Sequence, residues 1–271
     1  MPRAVSSTSS INEYRPVMDT THSPQAPRHA FKLGIVGGIG PAATVDFMSK
    51  IIRNTNARRD QDHLRLVVEH NPHIPDRTAN LLSGGEDPTD AIYDACRRLE
   101  ANDATAIAMP CNTAHAYIAR IQPRLTIPIL NMLTETVDNI ERNWCGRGRP
   151  TVGLLATSGT IASAVYHKAA AERSLELIVP DAKHQQYVMS AIYGERGVKA
   201  GYVDGACKTA LLRALRHLAR RGASVIILGC TELPLILEQN PAFRIDDQTV
   251  ALLDPTDILA RRCVAMAGGP V

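Results

Sequence analysis

Two stretches of this chain repeat each other in order and in spacing, and that duplication restricts the fold more than any other feature. "LGIVGGIGP" carries Gly34 and "VGLLATSGT" carries Gly153, each at a glycine-rich passage from an apolar run to an amphipathic one. A cysteine follows 77 positions later in both cases, Cys111 in "AMPCNTAH" and Cys230 in "ILGCTELP". Each cysteine precedes a helical stretch and a further apolar run, "IPILNM" and "VALLDP". Short runs at 33–36, 66–68, 105–108, 127–130, 152–155, 175–179, 225–228 and 250–253 read as strands. Amphipathic stretches at 43–52, 90–100, 162–172 and 206–219 read as helices between them. This alternation predicts parallel sheets covered by helices on both faces. The expectation is an α/β chain of two similar doubly wound domains with four-stranded parallel sheets. The two are related by a pseudo-twofold and face each other across a cleft.

Composition narrows the classes of function. The chain has 271 residues, 45% of them hydrophobic, which suffices for sizeable cores without disulfides or metal. Thirty basic residues against 27 acidic ones leave a net charge of +3, too little to argue for nucleic acid or a membrane surface as partner. No apolar run approaches the roughly 20 residues that span a bilayer. The six cysteines form no C-x-x-C pair, and the first residues carry Arg3, Glu13 and Asp19 with no apolar signal core. Reduced thiols and a cytoplasmic setting follow as expectations. Residues 1–30, rich in Ser, Thr, Pro and Arg, read as a disordered tail.

Cys111 and Cys230 each stand at the carboxyl end of an expected strand, one residue before an expected helix. Ligands of open α/β sheets bind there, and a helix N-terminus favours thiolate over thiol. Two thiols facing one cleft permit a specific chemistry. One sulfur removes a proton from a tetrahedral carbon while the other returns one from the opposite face, which inverts the centre. An ordinary thiol, near pKa 8.5, suits a general base once modestly lowered.

The blocks "GIVGGIGPAAT" (34–44), "NPHIPDRT" (71–78), "PCNTAH" (110–115), "LLATSGT" (154–160), "GVKAG" (197–201) and "GCTEL" (229–233) give the chain a resemblance to the aspartate racemase branch of the aspartate/glutamate racemase superfamily. They run in that family's order over roughly residues 33–260. The resemblance implies a racemase independent of pyridoxal phosphate, metal and nucleotide. It acts on a small acidic amino acid, aspartate or glutamate, and usually forms a homodimer. It implies Cys111 and Cys230 as the catalytic pair, with Asn112, Thr113 and Thr231 as their polar neighbours at the substrate. Arg77 matches an arginine aimed at a substrate carboxylate and Lys199 a lysine near the second cysteine, and together they offer charge for two carboxylates. Thr157 and Thr160 flank a Ser-Gly pair that reads as an anion cradle. The implied domains are 31–132, completed by a C-terminal helix at 255–271, and 133–254. Glu232 stands where glutamate racemases typically carry histidine, which favours the aspartate branch.

Other features read more plainly. Gly37, Gly38 and Gly40 lack the G-x-G-x-x-G spacing, and no Walker lysine follows "LATSGT", so nucleotide binding has no motif. His70 and His73 form too sparse a pair for a metal site. For His115 two readings stand, a satisfied structural ring or a modulator of Cys111. Cys96, Cys207 and Cys263 fall on apolar helix faces and read as core. The arginines of 213–221 read as a solvated helix face. Rival activities on the same scaffold are maleate isomerisation and arylmalonate-type decarboxylation, against which the "PDRT", "CNTAH" and "GCTE" set speaks. A further rival is a dicarboxylate-binding protein without turnover, against which both intact cysteines speak.

Overall fold

Leu33, Ile35 and Val36 are fully buried, and strand β1 (Lys32–Gly37), to which they belong, is the centre of the first sheet. The computed structural model describes residues 31–146 and 148–268; the expected tail at 1–30 lies outside them. Strands β2 (Arg65–His70) and β3 (Ala106–Ala108) flank β1 in parallel, in the order β2-β1-β3. The expected fourth strand at 127–130 contributes only a single parallel bridge, Ile129 to Ile107. Pro128 accepts from the Ile107 N–H at 2.8 Å but has no N–H of its own to extend the ladder.

The second sheet has the order β5-β4-β6-β8-β7, with β4 (Thr151–Leu155), β5 (Glu176–Ile178), β6 (Val225–Leu228), β7 (Asn240–Ile245) and β8 (Gln248–Leu253). Its first four strands are parallel and repeat the order of the first sheet with its bridge. Strand β7 is an antiparallel addition at the edge that the sequence reading missed. It contains Pro241 and an irregular register between Asn240 and Phe243, as edge strands tolerate. Its two-residue turn places Asp246 at φ 53°.

The central strands are buried on both faces, which explains their unbroken apolar runs. Along β6, Val225 and Ile227 enter one core while Ile226 and Leu228 enter another. The helices are α1 (Pro41–Asn54), α2 (Arg77–Ser83), α3 (Thr89–Ala101), α4 (Ile118–Ile121), α5 (Met132–Trp144), α6 (Ser158–Ala162), α7 (Val165–Glu172), α8 (Ala182–Tyr193), α9 (Ala206–Arg220) and α10 (Pro255–Met266). The helix expected over 162–172 breaks at Ala164, whose φ is 57°. Helix α10 packs Leu259, Ala260, Cys263 and Val264 into the core that holds Leu33, Ile35 and Phe47. Asp254 caps α10 by accepting from the Thr256 N–H at 2.8 Å, and its other oxygen meets Lys50 Nζ of α1 at 2.5 Å. No helix among the described residues is long and apolar enough to cross a membrane.

Candidate active site

The two cysteines follow β3 and β6, the equivalent strands of the two sheets, and both line one cavity. The chain beyond each is not the α-helix that the sequence led us to expect. A five-residue 3-10 helix, Thr113–Tyr117, follows Cys111, and Leu233–Leu235 follows Cys230. Such short pieces have weak dipoles, so the sulfurs take their electrostatics from neighbouring side chains rather than from a helix end.

The cavity is narrow. Its wall includes Arg77, Asn112, Thr113, Thr157, Lys199 and Thr231, all singled out from the sequence, beside both cysteines. Thr160 is not on the wall. Its hydroxyl lies behind, 2.7 Å from that of Thr113 and 3.1 Å from that of Thr157. Thr157 also caps α6, accepting from the Thr160 N–H, so the expected anion cradle is already satisfied by its own side chains. The Thr78 hydroxyl joins the cluster 3.2 Å from that of Thr157, which ties the two sheets' helices together beside the cavity. A Cβ at Gly159 would meet Thr78 Cα at 2.8 Å, so α6 can lie this close to α2 only with glycine there.

Around Cys111 the wall presents donors. Arg77 opens α2, whose Asp76 cap accepts from the Ala79 N–H at 2.7 Å. Its Nη1 donates to the carbonyls of Ile74 and Pro75 at 3.1 and 2.8 Å, while its buried Nε has no partner. Burial opposes the guanidinium charge, but Cys111 and Asp76 beside it outweigh burial and raise its pKa. Asn112 Oδ1 accepts from the buried Tyr166 hydroxyl at 2.6 Å, which fixes the amide and leaves its buried Nδ2 without a partner. Unpaired buried donors are costly, and these two belong to residues of a wall where an anion would satisfy them.

His115 is settled by its partners. Nε2 accepts from the Met132 N–H at 3.1 Å, so the ring hydrogen sits on Nδ1 and donates to the Cys111 carbonyl at 2.9 Å. Burial lowers its pKa to about 4. It is a neutral brace on the Cys111 backbone.

Around Cys230 the wall carries an ion pair. Lys199 Nζ bonds to Glu232 Oε1, and the Cys230 thiol donates to Oε2 at 3.0 Å. Burial raises the Glu232 pKa, yet the Lys199 charge and the hydrogen bonds outweigh it and hold the carboxylate ionised. Burial first, and Glu232 second, push the Cys230 thiol well above the usual range. The Tyr193 hydroxyl, raised to about 12 chiefly by burial, completes this side from α8. Ile39, Thr78, Tyr193 and Glu232 line the cavity without having been singled out as site residues. Glu232 left a signal in the sequence as a carboxylate two residues from a strand-end cysteine, and Ile39 and Thr78 fall inside the blocks at 34–44 and 71–78.

Away from the cavity, Asp181, His184 and His217 bring three donor atoms within 4.8 Å of one another. The two imidazoles stack face to face, with centroids 3.9 Å apart and planes 9° from parallel. Their lone pairs therefore run side by side instead of converging on one point. Lys183, Arg213, Arg216, Arg220 and Arg221 surround them, a poor environment for a cation. His70 and His73 are in no such group among the described residues. Cys96, Cys207 and Cys263 are buried in apolar cores.

A family profile described as "Asp/Glu/Hydantoin racemase" matches residues 36–263. The broad specificity amino-acid racemase RacX of Bacillus subtilis is 28% identical over 239 residues, covering 86% of this chain and 96% of that protein. The solved structure of Picrophilus torridus aspartate racemase is 29% identical with a TM-score of 0.75, covering 89% of this chain and 96% of that one. The fold also matches glutamate racemase from Francisella tularensis in complex with D-glutamate, at 20% identity and a TM-score of 0.64. There the coverage is 88% of this chain and 80% of that one.

Proposed function

Since this chain belongs to the Asp/Glu/Hydantoin racemase family, we propose that it interconverts L- and D-aspartate, or glutamate, with Cys111 and Cys230 as the two acid/base groups. The observation that carries this reading is the shared cavity. Sulfurs from equivalent strand ends of two repeated sheets line one space with two cations and an unpaired buried amide beside them.

The residues divide the work by charge. Arg77 and the Asn112 amide supply donors for a carboxylate, and Lys199 supplies the second cation that a dicarboxylic substrate calls for. Among the described residues Glu232 is the only carboxylate on the cavity wall, and it gives an α-ammonium an acceptor. Thr113, Thr157 and Thr231 offer hydroxyls, and Thr160 holds the first two in place. A proton on Cα is weakly acidic, so the negative charge that develops on the neighbouring carboxylate must be met by aimed donors. One thiolate removes that proton and the opposite thiol delivers another. The two thiols supply both transfers, so the reading calls for no pyridoxal phosphate, metal or nucleotide. The family resemblance extends it to a homodimer with domains at 31–132 plus the C-terminal helix and at 133–254, and the cysteine usage extends it to a cytoplasmic setting.

Separate Cys111→Ser and Cys230→Ser variants test the assignment. Serine is too weak an acid to replace either thiol, and removing one acid/base group costs about 10²- to 10⁴-fold in rate. Chiral chromatography of aspartate and glutamate reactions is expected to show that loss in both variants. Full racemisation by either one contradicts the two-sulfur reading.

A further inference from the structure

We infer that Glu232 decides which sulfur starts the reaction: it holds the hydrogen of Cys230 and makes that thiol the resting acid, which leaves Cys111, beside Arg77, as the resting base. This rests on the two-cysteine racemase reading above and assigns to each sulfur a starting role that the reading leaves open.

The geometry is one-sided. A carboxylate can only accept, so the 3.0 Å contact from Cys230 Sγ to Glu232 Oε2 requires a hydrogen on the sulfur. The same oxygen also accepts from the Thr231 hydroxyl at 3.2 Å, and Lys199 takes the other oxygen. Glu232 is only 4% exposed, so a thiolate at Cys230 would set two anions against each other with little water between them. The glycine loop closes over the pair. A Cβ at Gly40 would stand 2.6 Å from Glu232 Oε1 and 3.3 Å from Lys199 Nζ. The charged and titratable groups facing Cys230 are Glu232, Lys199 and Tyr193, with Arg77 and Cys111 on the same cavity wall. Cys111 has the opposite setting, sharing the cavity wall with the Arg77 guanidinium while Glu232 is bound elsewhere. A neighbouring cation favours the anionic form of a sulfur.

The cycle then has a defined first stroke. Cys111 takes the Cα proton; the C–H bond breaks, an S–H bond forms, and the electron pair moves into the carboxylate. Cys230 gives its hydrogen to the opposite face, and its negative charge is left beside Lys199. Product release and return of the proton from Cys111 to Cys230 through solvent restore the start. Enantiomers have an equilibrium constant of one, so kcat/KM is equal in both directions whichever sulfur begins. The assignment must therefore be read on the free enzyme.

The test is low-conversion alkylation of the full, substrate-free chain with iodoacetamide across about pH 6–10, quantified by peptide mass spectrometry. The midpoint of each thiol's rate against pH is the readout, since accessibility scales a curve without moving it. Cys230 is expected to titrate at higher pH than Cys111 and to react about tenfold or more slower at neutral pH. In Glu232→Gln the Cys230 curve moves to lower pH while that of Cys111 stays, a response that a merely structural role would not produce. Coincident wild-type curves, or a Cys230 curve unmoved by the substitution, overturn the assignment. If the variant does not fold, the wild-type curves alone decide. Racemisation is assayed in the same wild-type preparation. Turnover with coincident curves defeats only the role of Glu232, whereas no turnover defeats the reading beneath it.

Discussion

The His115 imidazole spans the carbonyl of Cys111 and the N–H of Met132, so it fixes the turn that presents the first sulfur without entering the cavity. Burial keeps the folded-state pKa near 4, and a proton on Nε2 would also put a donor where the Met132 N–H needs an acceptor. In the unfolded chain the ring titrates at its ordinary value of about 6.5. Between those two values the unfolded state binds the extra proton, so stability rises with pH across this window. Acidification from pH 7 to 4 is expected to remove on the order of 3 kcal/mol through this one ring. Urea denaturation at stepped pH checks it, and His115→Gln is expected to flatten the dependence. An unchanged slope in the variant contradicts the assignment. The sequence alone left His115 between two readings because the partners that decide it, a carbonyl four residues away and an N–H 17 residues away, have no local signature. Glu232 was similar. Its place beside Cys230 could be read, but not that Lys199 would reach it from 33 residues away.

At the scale of elements, the strands were the most legible part because burial on both faces leaves continuous apolar runs. The short 3-10 turns after the cysteines were not legible. "NTAHAY" opens on a polar cap and "TELPL" sets two polar residues before a proline in the first turn, patterns that suit a full helix equally well. Strand β7 escaped notice because Asn240 and Pro241 oppose a strand; pairing with β8, the packing of Phe243 and Ile245 on the core and the ties from Arg216 and Arg220 to Asp246 secure it. Helix α10 is held to α1 by a buried ion pair, in which Lys50 bonds to Asp46 and, at 2.5 Å, to the 2% exposed Asp254. Removing one partner of such a pair leaves the other charged and buried. Lys50→Met is therefore expected to cost about 3 kcal/mol, with a lower urea midpoint. A midpoint within error of the wild type would mean that the apolar face of α10 and the ties of Asn54 and Arg53 to Asp257 anchor it without the pair.

For the molecule as a whole, the duplication visible as equal spacing from glycine to cysteine became two sheets whose equivalent strands run in the same order, with one cavity between their strand ends. What the spacing could not convey is how closely the halves meet. That depends on contacts such as Gly159 against Thr78, which join residues with no pattern in common. The central claim is that sulfurs from both halves exchange protons with one carbon from opposite sides. Its most direct test is incubation of metal-free protein with L-aspartate, and separately L-glutamate, in D2O, followed by NMR and chiral separation early in the reaction. The account predicts that the D isomer of one or both substrates appears carrying solvent deuterium at Cα. The absence of both inversion and Cα deuterium for both substrates would contradict it.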